Sequence, residues 1–235
     1  MPAVTCVCQQ RFEGADEEAL FRALRAHSDE THAALKLSDQ QVRDYVAAAL
    51  RATGGTERLE RIGTPEIHAL TPERLDDFLR FFDHDAFANN PAWASCYCVF
   101  HYYDGADWGN RGAAENRADM QDRICTLRAQ GYLAYVDGRP AGWINAAPRA
   151  IVTNIPEPED GDDGRRIGAI ACFVIAPPYR RHGLARLLLD AAIEGFRARG
   201  FTAVEGYPPR DPKSDSSAYM GPPGLFRDAG FAQVR

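Results

Sequence analysis

Residues 179–185 read Tyr-Arg-Arg-His-Gly-Leu-Ala, and an apolar helical pattern over residues 184–199 begins inside them. Arg180, Arg181 and His182 therefore crowd a helix start, the end whose dipole favours negative charge. An anionic ligand among them resolves the conflict, because the first N–H groups of a helix have no intrahelical acceptor and point at whatever the loop holds. Gly183, which has no Cβ, and the small Ala185 let the backbone come close to such a ligand. A pyrophosphate suits that geometry. Gly-x4-Gly-Lys-Ser/Thr, the phosphate loop of nucleotide hydrolases, and Gly-x-Gly-x-x-Gly, the dinucleotide fingerprint, are both absent.

A second set of residues points to metal chemistry. Cys6, Cys8, His27 and His32 supply four soft or borderline ligands, the number a structural zinc takes. The spacing is not that of a standard finger. A five-residue interval turns about 140° on a helix, so both imidazoles reach one ion only if the helix ends or bends between them.

Composition bounds the rest. The 235 residues carry a formal charge of −6, 45% hydrophobic and 26% charged side chains, as an ordinary globular protein does. That balance argues against a general nucleic-acid or anionic-membrane surface, and no apolar run approaches the roughly 20 residues of a membrane span. No basic region followed by an apolar stretch opens the chain, so a cytoplasmic location is expected. Among the six cysteines, Cys6/Cys8 and Cys96/Cys98 form Cys-x-Cys pairs. On a strand such pairs stand about 6.6 Å apart, near the upper limit for a disulfide, so reduced thiols are expected.

The elements around these residues divide the chain into an N-terminal α+β unit over 1–53, a linker over 54–62 and a larger domain over 63–235. In the first unit "VTCVCQQRF" alternates like one strand, and Leu20, Leu24 and His27 mark a helix face. Ser38 and Gln41 have capping-box spacing ahead of a helix burying Val42, Tyr45, Val46 and Ala49. In the second, Pro72 opens a helix striped by Leu75, Phe78, Leu79 and Phe82, and a long aromatic stretch follows. A helix over roughly 112–130 should turn Met120, Ile124 and Leu127 inward. Asp137-Gly138 joins two strands in a hairpin. The continuous apolar run Ile167 to Ile175 belongs in the middle of a sheet. The helix after it should bury Leu184, Leu187, Leu188 and Ala191, before a strand "FTAVEGY", a short helix "GLFRDAG" and a last strand "FAQV".

Arg180-Arg181-His182-Gly183-Leu184-Ala185 matches Arg/Gln-x-x-Gly-x-Gly/Ala, and with the element order it resembles the GNAT superfamily of acyl-CoA-dependent N-acyltransferases over about residues 61–235. The resemblance implies an α/β (α+β) fold, a mixed and mostly antiparallel sheet flanked by helices, here with a small N-terminal α+β domain. It implies that Arg180, Arg181, His182, Gly183, Leu184 and Ala185 hold the pyrophosphate of coenzyme A, and that the strand at Phe173, Val174 and Ile175 pairs with the pantetheine arm. The implied reaction is direct transfer of an acetyl group from acetyl-CoA to a primary amine of a small molecule, such as an amino sugar, an amino acid or an amine-bearing antibiotic.

The amine must lose a proton and the leaving thiolate must gain one. Glu205, near the end of a strand beside the central one, is the candidate base. The family's usual tyrosine acid is replaced by Phe226 in Leu225-Phe226-Arg227-Asp228-Ala229-Gly230-Phe231, so Tyr219, or else Tyr207, is the candidate acid. Asp83 and His84, with Asp85, are expected in the acceptor wall, as are Cys96 and Cys98 with His101 close by. A Cys–His nucleophile there is the covalent alternative to direct transfer. Trp143 and Asn145 alternate on one hairpin face toward the pocket, and the acidic run Glu157, Glu159, Asp160, Asp162, Asp163 would attract a cationic amine. The family's sheet carries one more strand after "GFAQV", which leaves a homodimer completing that edge or a sheet that ends there. The front unit resembles small bacterial proteins of unknown function with early cysteines and a His-x4-His pair, although its cysteines are closer together. A different class remains beside the enzyme: an acyl-CoA-binding sensor without catalysis, its front module responsive to metal or redox state.

Overall fold

The computed structural model describes residues 1–103, 108, 111–155, 166–209 and 219–234. The acidic run from Glu157 to Asp163 lies outside them.

Five strands form the main sheet in sequence order: β3 (Pro65–Ala69), β4 (Gly131–Val136), β5 (Arg139–Pro148), β6 (Ile167–Ile175) and β7 (Ala203–Gly206). Every pairing is antiparallel except β6 with β7. Asp137 and Gly138 both take positive φ (51° and 72°), the two-residue turn that matches strand twist, and so fix the β4–β5 register. The hydrophobic strands of β5 and β6 are buried along nearly their whole length because both faces are covered.

One face carries α3 (Leu75–Arg80), the aromatic segment after it and α4 (Ala113–Cys125), which pack Phe78, Phe81, Phe82, Tyr97, Met120 and Ile124 onto Leu133 and Trp143. The other face carries α5 (Leu184–Ala198), which packs Leu184, Leu188, Leu189, Ala192 and Phe196 onto Ile144 and Ile170. Each of these large side chains contributes about 1.5–3 kcal/mol by leaving water. A last short helix, α6 (Pro223–Asp228), buries Phe226 beside Phe173.

The front unit has its own apolar cluster, Val4, Leu20, Leu24, Val42 and Val46, from the hairpin β1 (Ala3–Thr5) and β2 (Arg11–Glu13) and the helices α1 (Glu17–Thr31) and α2 (Asp39–Arg51). Ser38 and Gln41 form the reciprocal capping box at the start of α2. Asp44, on α2, accepts the Ala113 N–H at 2.8 Å and so caps α4, whose own N-cap is a glycine. His84 Nδ1 meets the Arg51 carbonyl at 3.0 Å, and the Gly54 N–H meets the His84 carbonyl at 3.2 Å.

Several expectations change. "VTCVCQQRF" is not one strand: the Cys6 N–H bonds the Gln10 carbonyl and the Gln9 N–H bonds that of Cys6, each at 2.8 Å, closing a turn between β1 and β2. Cys6 and Cys8 therefore sit in a turn and not on a strand face. α4 stops at Cys125, where the Thr126 hydroxyl bonds back to the Asp122 carbonyl and Leu127 adopts φ 59°, so Leu127 points to solvent. On α5 the buried stripe is 184, 188, 189, 192 and 196, with Leu187 outside it. Phe231–Val234 forms no strand, and β7 is the sheet's edge among the described residues. No described helix is long and apolar enough to cross a membrane.

Candidate functional site

The cleft begins where two strands part. β7 pairs with β6 only from Ile167 to Ile170. At the same level the β5–β6 register slips, with Asn145 opposite Cys172 and Ala146 opposite Ile170, which leaves Ala171 as the extra residue of a bulge. Ala171 and Cys172 consequently face the same side, toward the aromatic core, while Phe173 and Ile175 turn toward α5. Beyond the bulge the free edge of β6 meets no strand among the described residues, and its Phe173 N–H donates to the Tyr219 carbonyl at 2.6 Å. Phe173 and Ile175, the loop 179–183, the first turn of α5, and the segment from Tyr219 to Leu225 enclose a cleft of about 530 Å³. Val174 turns the other way, into the aromatic core.

The loop at the mouth of this cleft has two left-handed residues, Arg181 (φ 64°) and Gly183 (φ 83°). Gly183 is the N-cap of α5, and no side chain caps the helix. The Leu184 and Ala185 N–H groups, in the first turn, have no intrahelical acceptor. A Cβ on Gly183 would meet nothing within 4 Å, so φ, rather than close approach, requires glycine here.

The cations divide their work. Arg180 braces the loop: its Nε donates to the Ile175 carbonyl at 2.9 Å and its Nη2 to Asn89 Oδ1 at 3.0 Å. His182 Nε2 donates to the Leu59 carbonyl at 2.9 Å, tying the loop to the preceding connection. Arg181 is exposed, lines the cleft and has no hydrogen-bond or ion-pair partner among the described residues. With the helix N-terminus it gives the cleft mouth a positive potential in an acidic protein.

Tyr219 lines the same cleft, its hydroxyl accepting from Asn90 Nδ2 at 3.4 Å and its ring standing edge-on to Phe87. Phe226 does not line it; the ring is buried against Phe173. Glu205 does not line it either. Its Oε2 accepts from Arg149 Nε at 3.0 Å and from the Tyr207 hydroxyl at 2.7 Å. Burial first, and then the bond to Glu205, push the Tyr207 phenol well above its ordinary range. Among the described residues no donor engages Glu205 Oε1.

The remaining candidates are scattered. Asp83 accepts from the Tyr97 hydroxyl at 2.6 Å and pairs with Arg117 at 3.0 Å; burial raises its carboxyl, but the two donors outweigh burial and hold it below the usual range. His84 is spent on the Arg51 carbonyl. Cys98, Trp143 and Asn145 are sealed in the core under the aromatic segment, so they offer a ligand no surface, contrary to the expected acceptor wall. Asn145 Nδ2 instead bridges Cys98 Sγ and the Tyr102 hydroxyl. Burial, with the neighbouring Cys98 as a further cause, pushes the Cys96 thiol up to about 12, far from a ready nucleophile. His101 is buried, which lowers it to about 4, and among the described residues its Nδ1 has no partner and no cysteine pairs with it.

Sequence reasoning missed Asn89 and Asn90, which come from the loop after the π-turn Phe81–Asp85 and reach the cleft. The "NNP" turn signal was visible, but nothing local places that loop against β6.

A family model described as the Acetyltransferase (GNAT) family matches residues 92–209, half of the chain. No curated protein matches the chain. Among solved structures, an aminoglycoside N-acetyltransferase AAC(6')-Iy in complex with CoA is similar at 12% identity, covering 75% of this chain and 93% of its own with a TM-score of 0.47. A ribosomal-protein-alanine N-acetyltransferase from Brucella melitensis biovar Abortus 2308 is similar at 16% identity, covering 73% and 95% with a TM-score of 0.44.

Proposed function

Since the chain belongs to the acetyltransferase (GNAT) family, we propose that it moves an acetyl group from acetyl-CoA directly to a primary amine of a small molecule. The observation that carries this reading is the uncapped start of α5, with left-handed Arg181 and Gly183, opening onto the cleft beside the free edge of β6. Acetyl-CoA supplies the activated thioester. The Leu184 and Ala185 amides and the Arg181 guanidinium hold its pyrophosphate, in the manner of an anion at a helix N-terminus. Arg180 fixes the loop's distance from β6 through Ile175.

The cleft edge is only partly open to a pantetheine arm, because the Phe173 N–H already bonds Tyr219 and the Ile175 carbonyl already bonds Arg180. The arm therefore lies against the Phe173 and Ile175 side chains, or displaces the Tyr219 carbonyl on binding. Tyr219, which lines the cleft, gives a proton to the leaving thiolate. Glu205 lies outside the cleft lining, so it takes the proton of the attacking amine through a water at Oε1, with Arg149 and Tyr207 orienting the carboxylate from Oε2.

Phe226 favours a second reading, an acyl-CoA sensor without turnover, since the usual position of the acid carries no hydroxyl. Native mass spectrometry with and without acetyl-CoA, followed by thiol release across an amine panel, separates the two. One bound acetyl-CoA with turnover supports transfer. Binding without turnover on any amine supports the sensor, and folded protein that takes up no acetyl-CoA at high concentration refutes both.

A further inference from the structure

Cys6 and Cys8 lie in the turn between β1 and β2, and His27 and His32 lie at the end of α1. The helix stops at Thr31, and His32 is its C-cap with φ −123° and ψ 25°, so the second imidazole leaves the helical path and swings back over the first. Cys6 Sγ stands 3.3 Å from His32 Nε2, and Cys8 Sγ stands 3.3 Å from His27 Nε2. One ligand atom from each of the four residues lies within 4.8 Å of every other.

Two separate Cys–His hydrogen bonds would account for each pair but not for the convergence of both pairs on one point. A tetrahedral ion does account for it. With Zn–S near 2.3 Å and Zn–N near 2.0–2.1 Å, tetrahedral angles put sulfur and nitrogen about 3.6 Å apart and two sulfurs about 3.8 Å apart. The two Cys–His spacings of 3.3 Å fall close to the sulfur–nitrogen edge, and the remaining donor pairs lie within 4.8 Å. Around the donors, His27 Nδ1 lies 3.3 Å from the Thr31 hydroxyl, a contact that suits a tautomer with the proton on Nδ1 and the lone pair of Nε2 directed at the cluster.

We propose that Cys6, Cys8, His27 and His32 bind one structural zinc ion. Two thiolates and two imidazoles in tetrahedral array select zinc over hard cations that take oxygen ligands. The ion has a mechanical role to fill: besides Cys6, the front unit's cluster holds only six buried apolar residues, a small core for a unit of this size. The turn it would pin also matters elsewhere. Cys6, Val7 and Gln9 line a second cavity of about 430 Å³ whose far wall includes Asn89 and Asn90, the residues that also line the acetyl-CoA cleft.

The test uses the full chain, reduced, stripped with a chelator and titrated with Zn²⁺ against a chromophoric competitor, and separately with Co²⁺. One equivalent of zinc, a tetrahedral Co²⁺ spectrum with thiolate charge-transfer absorption, and loss of both in Cys8→Ser are expected. Cys8 is exposed, so its loss leaves the apolar cluster intact. Zinc bound no more tightly by the wild-type chain than by Cys8→Ser, or a Co²⁺ spectrum without thiolate absorption, would overturn the proposal. Should Cys8→Ser fail to fold, the wild-type Co²⁺ spectrum alone decides. Acetyl-CoA binding is read on the same samples, so failure of the cleft reading with zinc retained is distinct from failure of the metal site.

Discussion

Replacing Gly183 by alanine isolates the backbone geometry of the loop. At φ 83° an L-residue pushes its Cβ toward the following carbonyl, at a cost of about 1–2 kcal/mol, and the added methyl meets no other atom within 4 Å. The whole cost is therefore conformational. For a chain of this size about 1–2 kcal/mol lowers Tm by roughly 2–8 °C. Asparagine is larger than alanine but tolerates the left-handed region, so Gly183→Asn should lose less than Gly183→Ala. This inversion of the usual size order is the signature. Where the alanine chain relaxes by rotating the peptide, the Leu184 and Ala185 amides turn away from the cleft, and acetyl-CoA affinity should fall about 5- to 30-fold, the equivalent of the same strain. Thermal unfolding and isothermal titration with acetyl-CoA on the three proteins provide the readouts. An alanine variant as stable as wild type, or an asparagine variant worse than alanine, refutes the left-handed N-cap and with it the proposed phosphate cradle.

Further outcomes follow from the contacts of individual side chains. Tyr219→Phe should lower kcat by about 10²-fold, the scale of a lost general acid, while acetyl-CoA affinity stays within a few-fold; an unchanged kcat removes Tyr219 from the chemistry. Glu205→Gln should reduce kcat by a similar factor and also destabilise, because the buried Arg149 loses the charge of Glu205 at 3.0 Å. The cost of breaking a buried pair, about 3–5 kcal/mol, is discounted to about 1–2 because the Glu205 side chain is 31% exposed. A kcat loss with no change in Tm would show that the Arg149–Glu205 pair adds nothing to stability. His101, neutral and buried with its pKa lowered to about 4, makes stability fall with acidification, since the unfolded chain takes up a proton near pH 6.5 while the folded chain resists until about 4. Denaturant titrations between those pH values should show this slope in the wild type and a flatter one in His101→Gln.

Much of the fold is written in local signals. The Asp137-Gly138 pair fixes a hairpin because its turn needs two left-handed residues, and Ser38 with Gln41 fixes a helix start because the two side chains satisfy each other's backbone. The errors share a cause, which is that periodicity is blind to what lies opposite. Leu187 and Leu188 are equally apolar, and only the packing of α5 against β4 and β5 decides which is buried. Trp143 and Asn145 alternate as pocket residues would, yet the aromatic segment seals them. The Cys6–Gln10 turn breaks an alternation that continues unbroken in sequence. For the candidate site, the loop 180–185 is legible because its chemistry is contiguous; Asn89 and Asn90 are not, because they reach the cleft only through the packing of α3 and its π-turn.

The absence of a hydroxyl at position 226 has a packing reason. Gly206 ends β7 directly beneath the Phe226 ring, where even a Cβ would come within 2.1 Å of Cε1. The ring thus fills the gap left where β7 stops short of the bulge, buried against Phe173 and Phe231. A phenol at 226 would carry its hydroxyl into this apolar cluster, where an unpaired polar group costs about 1–3 kcal/mol. Tyr219 lies on the cleft side of the same strand edge, tied to β6 by its own carbonyl and to the loop after the π-turn through Asn90. One segment therefore divides two tasks: Phe226 closes the core that keeps β6 and β7 apart, and Tyr219, seven residues earlier, presents the hydroxyl to the cleft that their parting opens.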